Sequence, residues 1–137
     1  METALDQNTG YAPENTLYGV VKGYTAIELI KRCKQADNQM LLHIGIDDIS
    51  IAQIELMIDF YADDIEVIKF PAWDCLPYDR VSPNPTIMGE RVKALTQLMN
   101  RQDNKPVIIL TTVNAVLQKL PPKDVFKGAG IEIVKGG

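Results

Sequence analysis

The chain has 137 residues, of which 46% are hydrophobic and 23% are charged, proportions typical of one globular domain with its own core. Its 14 Lys and Arg against 18 Asp and Glu give a net charge of −4. That balance argues against a general DNA clamp, because DNA-binding surfaces replace phosphate counterions with cations. There is no apolar run of the roughly 20 residues that a membrane span needs. A secretion signal is absent too, so we expect a cytoplasmic protein.

The first predicted elements are a helix and a strand. Residues 1–16 are polar and predict a flexible lead-in. Apolar residues at helical spacing over 26–33 then predict a helix, and Thr25 with Glu28 has the form of a capping box at its start. A short apolar run over 40–44 predicts a strand.

A second helix and strand follow. Ser50 and Gln53 again have the form of a capping box. The predicted apolar face of this helix consists of Ile51, Ile54, Ile58 and Tyr61. The β-branched run 65–70 predicts a strand, and residues 71–84 form a loop rich in proline and aromatic residues.

The second half continues the alternation. Asn84 is a good helix cap and Pro85 suits the first helical position. The apolar stripe of this third helix consists of Met88, Val92, Leu95 and Met99. Residues 106–111 are apolar on both faces, which is typical of a central parallel strand. A short helix over 113–120 and a strand over 131–134 complete the prediction.

This order of elements predicts an α/β fold with three layers, in which helices flank a mostly parallel sheet. The last predicted strand has no closing element after it. An unpaired strand is an unsatisfied edge, so we expect the chain to be part of a longer protein.

Two segments carry a family resemblance. Residues 70–85 read FPAWDCLPYDRVSPNP, and residues 107–118 read VIILTTVNAVLQ, with Glu90-Arg91 on a helix between them. In this order they resemble the transcription-repair coupling factor family, from about Leu17 to the end of the chain. The Trp-Asp-x-Leu-Pro-Tyr-Asp run is the more specific of the two.

The resemblance implies a fold and a role. The N-terminal part of family members is similar to the excinuclease B subunit and forms a degenerate RecA-like half domain, split by an inserted domain that binds the excinuclease A subunit. Residues 17–126 would be the first piece of the split domain and 127–137 the entry into the inserted one. Other parent domains would bind RNA polymerase and double-stranded DNA, and an ATP- and magnesium-dependent DNA translocase motor would displace stalled polymerase. The fragment itself would be a non-catalytic interaction module without a cofactor.

The loop before the first helix bears on nucleotide binding. A phosphate loop needs glycines, a Lys on the β- and γ-phosphates and a hydroxyl on magnesium. The matching residues here are Gly19, Lys22, Gly23, Tyr24 and Thr25. Tyr24 stands where the Lys should be, and Lys22 precedes Gly23. We therefore predict no nucleotide hydrolysis, and a functional nucleotide-binding domain is the alternative.

Other polar residues favour structural roles. Asp47 and Asp48 follow the first strand, where carboxylates stabilise the positive end of a helix dipole. His43 has no partner spaced to orient it as a catalytic base. Cys33 and Cys75 lie far from each other and from His43, so their spacing predicts neither a zinc site nor a disulfide.

The loop over 71–84 is the candidate docking loop. Its candidate residues are Trp73, Asp74, Leu76, Tyr78, Asp79 and Arg80. In the structural interpretation, Trp73 and Leu76 pin the loop to the domain and Arg80 pairs with Asp74 or Asp79. In the functional one, the cluster docks a partner or another parent domain, because aromatic and Arg residues dominate binding hot spots. A damaged-DNA-binding domain like the excinuclease B subunit is a further alternative, but this loop is too short for that subunit's DNA-gripping hairpin.

Overall fold

The computed structural model describes residues 17, 19–74, 82–101, 104–120, 122 and 124. Four helices and three strands alternate along this part of the chain. They are α1 (Lys22–Gln35), β1 (Met40–Gly45), α2 (Asp48–Tyr61), β2 (Glu66–Phe70), α3 (Pro85–Met99), β3 (Val107–Thr112) and α4 (Val113–Leu117). The predicted order of helices and strands is confirmed over this range. The predicted lead-in 1–16 and the predicted strand 131–134 lie outside the described residues.

The three strands form one parallel sheet in the order β1-β3-β2. Val107 at the start of β3 pairs with Met40 on one side and with Glu66 on the other. β3 is therefore the central strand, as its apolar character on both faces predicts. All but one of its residues are buried.

Helices cover both faces of this sheet, which confirms the predicted three-layer α/β architecture. Ile108 and Leu110 belong to a core cluster with Ala26 of α1 and Ile58 of α2. Successive strand residues point to opposite faces, and Val107 accordingly belongs to a second cluster. That second cluster joins Ile68, Phe70, Val107, Ala94 of α3 and Ala115 of α4.

The start of α1 differs from the prediction. Its N-cap is Val21, which makes no side-chain capping hydrogen bond. Thr25 lies inside the helix and does not cap it, because a cap residue needs non-helical backbone. Glu28 accepts a hydrogen bond from Arg32 Nε at 2.7 Å, and the pair forms an ion pair one turn apart. The predicted capping box at Thr25 is therefore wrong.

The start of α2 is also capped by a different residue. Asp47 is the N-cap, and its Oδ1 accepts a hydrogen bond from the Ser50 amide at 2.7 Å. Ser50 is already helical, so the predicted cap at Ser50 is wrong by one turn. Ile51 and Ile58 are buried, as predicted, but Tyr61 is 55% exposed. A helix advances about 100° per residue, which places Tyr61 about 80° away from Ile51, at the margin of the buried face.

α3 begins as predicted and then buries a different face. Asn84 Oδ1 accepts a hydrogen bond from the Thr86 amide at 3.0 Å, and Pro85 is the first helical residue. The predicted stripe is mostly exposed: 45% at Met88, 44% at Val92 and 42% at Met99, with only Leu95 half-buried. The residues of α3 that are buried are Arg91 and Ala94. The small side chain of Ala94 contributes to the core cluster beside β2.

The last described helix is shorter than predicted and ends at Leu117. Its N-cap is Thr112, the last residue of β3, whose hydroxyl accepts a hydrogen bond from the Ala115 amide at 3.4 Å. The chain therefore passes from the central strand directly into α4. None of the helices in the described part of the chain is both long and apolar enough to cross a membrane.

Candidate functional site

The segment that follows β2 is held to the domain by Arg91. The guanidinium carbon of Arg91 lies 4.3 Å from the centroid of the Phe70 ring and 4.6 Å from that of the Trp73 ring. Its Nη1 also donates a hydrogen bond of 2.6 Å to the carbonyl oxygen of Pro71. One buried side chain of α3 thus contacts three residues of the segment 70–73.

Gln118 completes this arrangement from the other side. Its Oε1 accepts a hydrogen bond from the Trp73 amide at 2.8 Å and another from Arg91 Nη1 at 3.3 Å. Asp74 Oδ1 accepts one from the Asn84 amide at 3.2 Å, which ties the segment to the start of α3. The loop therefore leaves β2 and re-enters α3 with both ends fixed by side-chain hydrogen bonds.

The electrostatics of Arg91 are unusual. The residue is 3% exposed, yet it takes part in no ion pair within the described ranges. Removal from water lowers the pKa of its guanidinium below the ordinary value. Burying a cation without an anion is costly. Two aromatic faces and two oxygen acceptors offset part of that cost here.

Beside this cluster lies an open groove with a cavity volume of about 330 Å³. Its lining residues come from the loop, α3 and the segment after α4: Trp73, Met88, Arg91, Val92, Leu95, Lys119 and Leu120. We call this feature the Trp73 groove. The exposed side chains of Met88 and Val92, two residues of the predicted apolar stripe of α3, form part of its wall. Both charged residues that line it are basic.

The structure describes two of the six candidate docking residues. Trp73 is half-buried against Arg91, and Asp74 is exposed. Leu76, Tyr78, Asp79 and Arg80 lie outside the described residues, as do the predicted pairings of Arg80 and the predicted anchoring by Leu76. The Trp73 amide donates one hydrogen bond, to Gln118, and the Trp73 ring lies against Arg91, so both contacts hold this end of the loop to the domain.

Sequence reasoning did not identify Arg91 and Gln118 as the residues that hold the loop. A signal for Arg91 was present, because it falls between Met88 and Val92 on the predicted apolar stripe, where a charged residue has no obvious place. Gln118 carried no such signal. It lies 45 residues from Trp73 in sequence, and only the fold brings the two together.

The residues predicted to form a degenerate phosphate loop lie around the start of α1. Gly19 has a φ of +69°, a backbone conformation that glycine adopts readily. Lys22 is the first residue of the helix, so Gly23, Tyr24 and Thr25 belong to its first turns. The Tyr24 amide donates to the carbonyl oxygen of Val21 at 2.9 Å, and the Tyr24 side chain is 48% exposed.

The remaining polar candidates have structural partners. Asp47 caps α2, in agreement with its predicted role at the start of a helix. His43 lies half-buried in β1, and burial lowers the pKa of its imidazole. The Cys33 thiol is buried and lies 3.4 Å from the carbonyl oxygen of Val107; burial raises its pKa. Within the described ranges, no group of three or more His, Cys, Asp or Glu residues could hold a metal ion.

Comparison with known proteins gives one consistent name. A transcription-repair-coupling factor from Rickettsia typhi is 37% identical over 67 residues, which is 49% of this chain and 6% of that protein. The factor from Escherichia coli is 25% identical over 125 residues, 91% of this chain and 10% of the relative. This chain is related to transcription-repair-coupling factors. The resemblance carried by the segments 70–85 and 107–118 is thereby confirmed.

A third relative, the transcription-repair-coupling factor of Staphylococcus epidermidis, is 26% identical over 117 residues, 85% of this chain and 10% of that protein. The chain thus spans a tenth or less of the length of these curated relatives. No family model matches the chain. No solved structure matches it either.

Proposed function

We propose that this chain is a non-catalytic interaction module of a transcription-repair-coupling factor and acts in transcription-coupled DNA repair. The observation that carries the proposal is the similarity to such factors from three bacterial genera, which in two of them extends over 85% or more of the chain.

The non-catalytic part of the proposal is supported by the residues before and within the first turn of α1. Tyr24 follows Gly23 at the place where a phosphate loop carries its Lys. A phenol cannot supply the cationic partner that the terminal phosphate of a nucleotide requires. The Tyr24 amide is also already bonded to Val21.

The partners follow from the same proposal. Other domains of the parent would lie against this module. The excinuclease A subunit would bind through the adjoining inserted domain, and RNA polymerase and double-stranded DNA would bind to parent domains beyond this chain. The parent motor, with ATP and magnesium, would displace stalled polymerase. The net charge of −4 supports the assignment of DNA contacts to other domains.

The cellular role is tested by deleting the gene that encodes this chain. After ultraviolet irradiation, lesion removal is measured separately on the two strands of an expressed gene. We expect the deletion to abolish the faster repair of the transcribed strand and to leave the other strand unchanged. Equal repair kinetics in the deletion and parent strains would refute the proposed role.

The non-catalytic assignment is tested by titrating the chain with a fluorescent ATP analogue and magnesium. We expect no saturable binding at concentrations up to about 1 mM, because the charge that holds the terminal phosphate is missing. A gel shift with single-stranded or lesion-containing DNA at physiological salt should likewise show no complex. Micromolar binding of the nucleotide would favour the alternative of a functional nucleotide-binding domain, and specific DNA binding would favour a damage-binding one.

A further inference from the structure

The Trp73 groove combines an apolar wall with two cations. Met88, Val92 and Leu120 are each more than two fifths exposed, so the groove presents aliphatic side chains to solvent on an open surface. Trp73 adds an aromatic face. Exposed apolar residues that line a concave surface are characteristic of sites where another molecule binds.

The charges of the groove point to an anion. Arg91 and Lys119 line it, and none of the lining residues that the structure describes is acidic, although the chain as a whole has a net charge of −4. The described hydrogen bonds of Arg91 both come from Nη1. The arginine guanidinium group has five N–H donors, and its planar geometry matches that of a carboxylate as a hydrogen-bond acceptor. A ligand carboxylate would therefore give this buried cation the partner that it lacks within the described ranges.

We propose that the Trp73 groove binds an acidic segment of a partner protein in which a carboxylate lies beside an aliphatic or aromatic side chain. The apolar side chain would pack against Val92 and Leu120, and the carboxylate would face Arg91 and Lys119. The inference rests on the proposed function as an interaction module, and it adds the location of the docking surface and the chemistry of its partner.

A nucleic acid is the main competing occupant, because bases stack on tryptophan and phosphates attract cations. The groove favours a peptide. Four of its seven lining residues are aliphatic or methionine, namely Met88, Val92, Leu95 and Leu120, whereas nucleic-acid grooves are predominantly basic. The acidic chain would also repel a polyanion, and a short peptide carries far less charge.

The experiment uses the fluorescence of Trp73, which is the single tryptophan of the chain and therefore reports directly on the groove. The full 137-residue chain is titrated with a synthetic helix-forming peptide of about twelve residues that carries Leu and Glu on one face. Matched peptides replace every Glu by Lys or every Leu by Ser, and an oligothymidine is the nucleic-acid probe. We expect saturable binding of the Leu–Glu peptide alone, with a changed Trp73 emission.

Two variants of exposed groove residues test the position of the site. Lys119→Glu reverses one of the two charges and should raise the Kd of the Leu–Glu peptide by about threefold or more. Val92→Asp places an anion on the apolar wall and should weaken binding at least as strongly. Lys93→Glu is the matched control, because Lys93 is exposed on the same helix but lines a different cavity, and it should change the Kd by less than about twofold.

Each result decides the proposal. Equal affinity for the Leu–Glu and Leu–Lys peptides, equal effects of Lys119→Glu and Lys93→Glu, or binding of the oligothymidine alone would overturn it. Circular dichroism of each variant shows whether the fold is intact. The repair phenotype of the gene deletion is a separate measurement, so a failure of peptide binding leaves the proposed cellular role intact and refutes only the docking site.

Discussion

Gln118→Glu tests whether Arg91 is a buried cation that lacks an anionic partner among the residues the structure describes. The change is nearly isosteric and replaces the amide oxygen that accepts from Trp73 at 2.8 Å and from Arg91 at 3.3 Å by a carboxylate oxygen. Hydrogen bonds to charged groups contribute about 1.5–3 kcal/mol, against about 0.5–1.5 kcal/mol for neutral pairs. The Trp73 bond becomes charge-assisted, and the Arg91 bond, which already involves a cation, becomes an ion pair. Together these changes would gain about 2 kcal/mol, and partial burial of the new charge would cost about half of that. We expect the free energy of unfolding to rise by about 1 kcal/mol at pH 7.

The gain should depend on pH in a defined direction. Contact with Arg91 holds the pKa of the new carboxyl group below its unfolded value of about 4.3. The added stability is therefore fully present above that pH and is lost as the pH falls through the folded-state pKa. Urea unfolding, followed by Trp73 fluorescence and by far-ultraviolet circular dichroism at pH 7 and pH 3, measures both quantities.

Two further variants serve as controls. Gln118→Ala removes the acceptor and should lower the free energy of unfolding by about 1–3 kcal/mol, because two donors lose their partner. Gln53→Glu makes the same chemical change on the exposed surface of α2 and should stay within about 0.5 kcal/mol of wild type. A Gln118→Glu variant that is less stable than wild type at pH 7, or whose gain in stability persists unchanged at pH 3, would contradict an ion pair between the new carboxylate and Arg91.

Three other predictions concern the framework around the site. Gly45→Ala should destabilise the fold by about 1–3 kcal/mol, because its Cβ would lie 2.7 Å from Ile51 Cδ1. Gly23→Ala lies in a helix with open space around it and should stabilise the fold by about 0.5–1 kcal/mol. Urea unfolding compares the two variants, and equal effects on the free energy of unfolding would contradict the packing around Gly45. Asp47→Ala should lower the free energy of unfolding by about 1 kcal/mol and Ser50→Ala by less than about 0.5 kcal/mol, because Asp47 caps α2. If thermal unfolding gave the reverse order, Ser50 would be the cap, as the sequence predicted. In a Cys75→Ser variant, Cys33 should resist alkylation by iodoacetamide at pH 8 until urea unfolds the chain, because burial raises the pKa of its thiol. Rapid labelling of the native protein would be inconsistent with that burial.

The parts of the fold that local sequence determines were predictable. β3 is apolar on both faces because helices cover both sides of a central parallel strand, and its pattern predicted its place. Asn84 and Pro85 predicted the start of α3 for an equally local reason, since a cap side chain bonds an amide only two or three residues away. The resemblance, in turn, depended on the unusual residues after Phe70.

The errors arose where tertiary contacts override local patterns. The stripe of Met88 and Val92 predicted the buried face of α3, but the helix is rotated so that Arg91 reaches Phe70 and Trp73. The oxygen acceptors and rings that compensate for burying this arginine come from separate elements, and periodicity within one helix carries no information about them. The groove is unpredictable for the same reason, because Lys119 and Leu120 reach it only after the chain has passed through β3 and α4.

The strand order has a consequence for folding during synthesis. β1 and β2 pair with β3 and not with each other, so neither of the described ladders can form before Val107–Thr112 has left the ribosome. Met40 must wait for its partner Val107, 67 residues later (107 − 40), which at about 5–20 residues per second takes roughly 3 to 13 s. During that interval the β1 segment, which carries Leu42 and Ile44, has no pairing partner among the described strands.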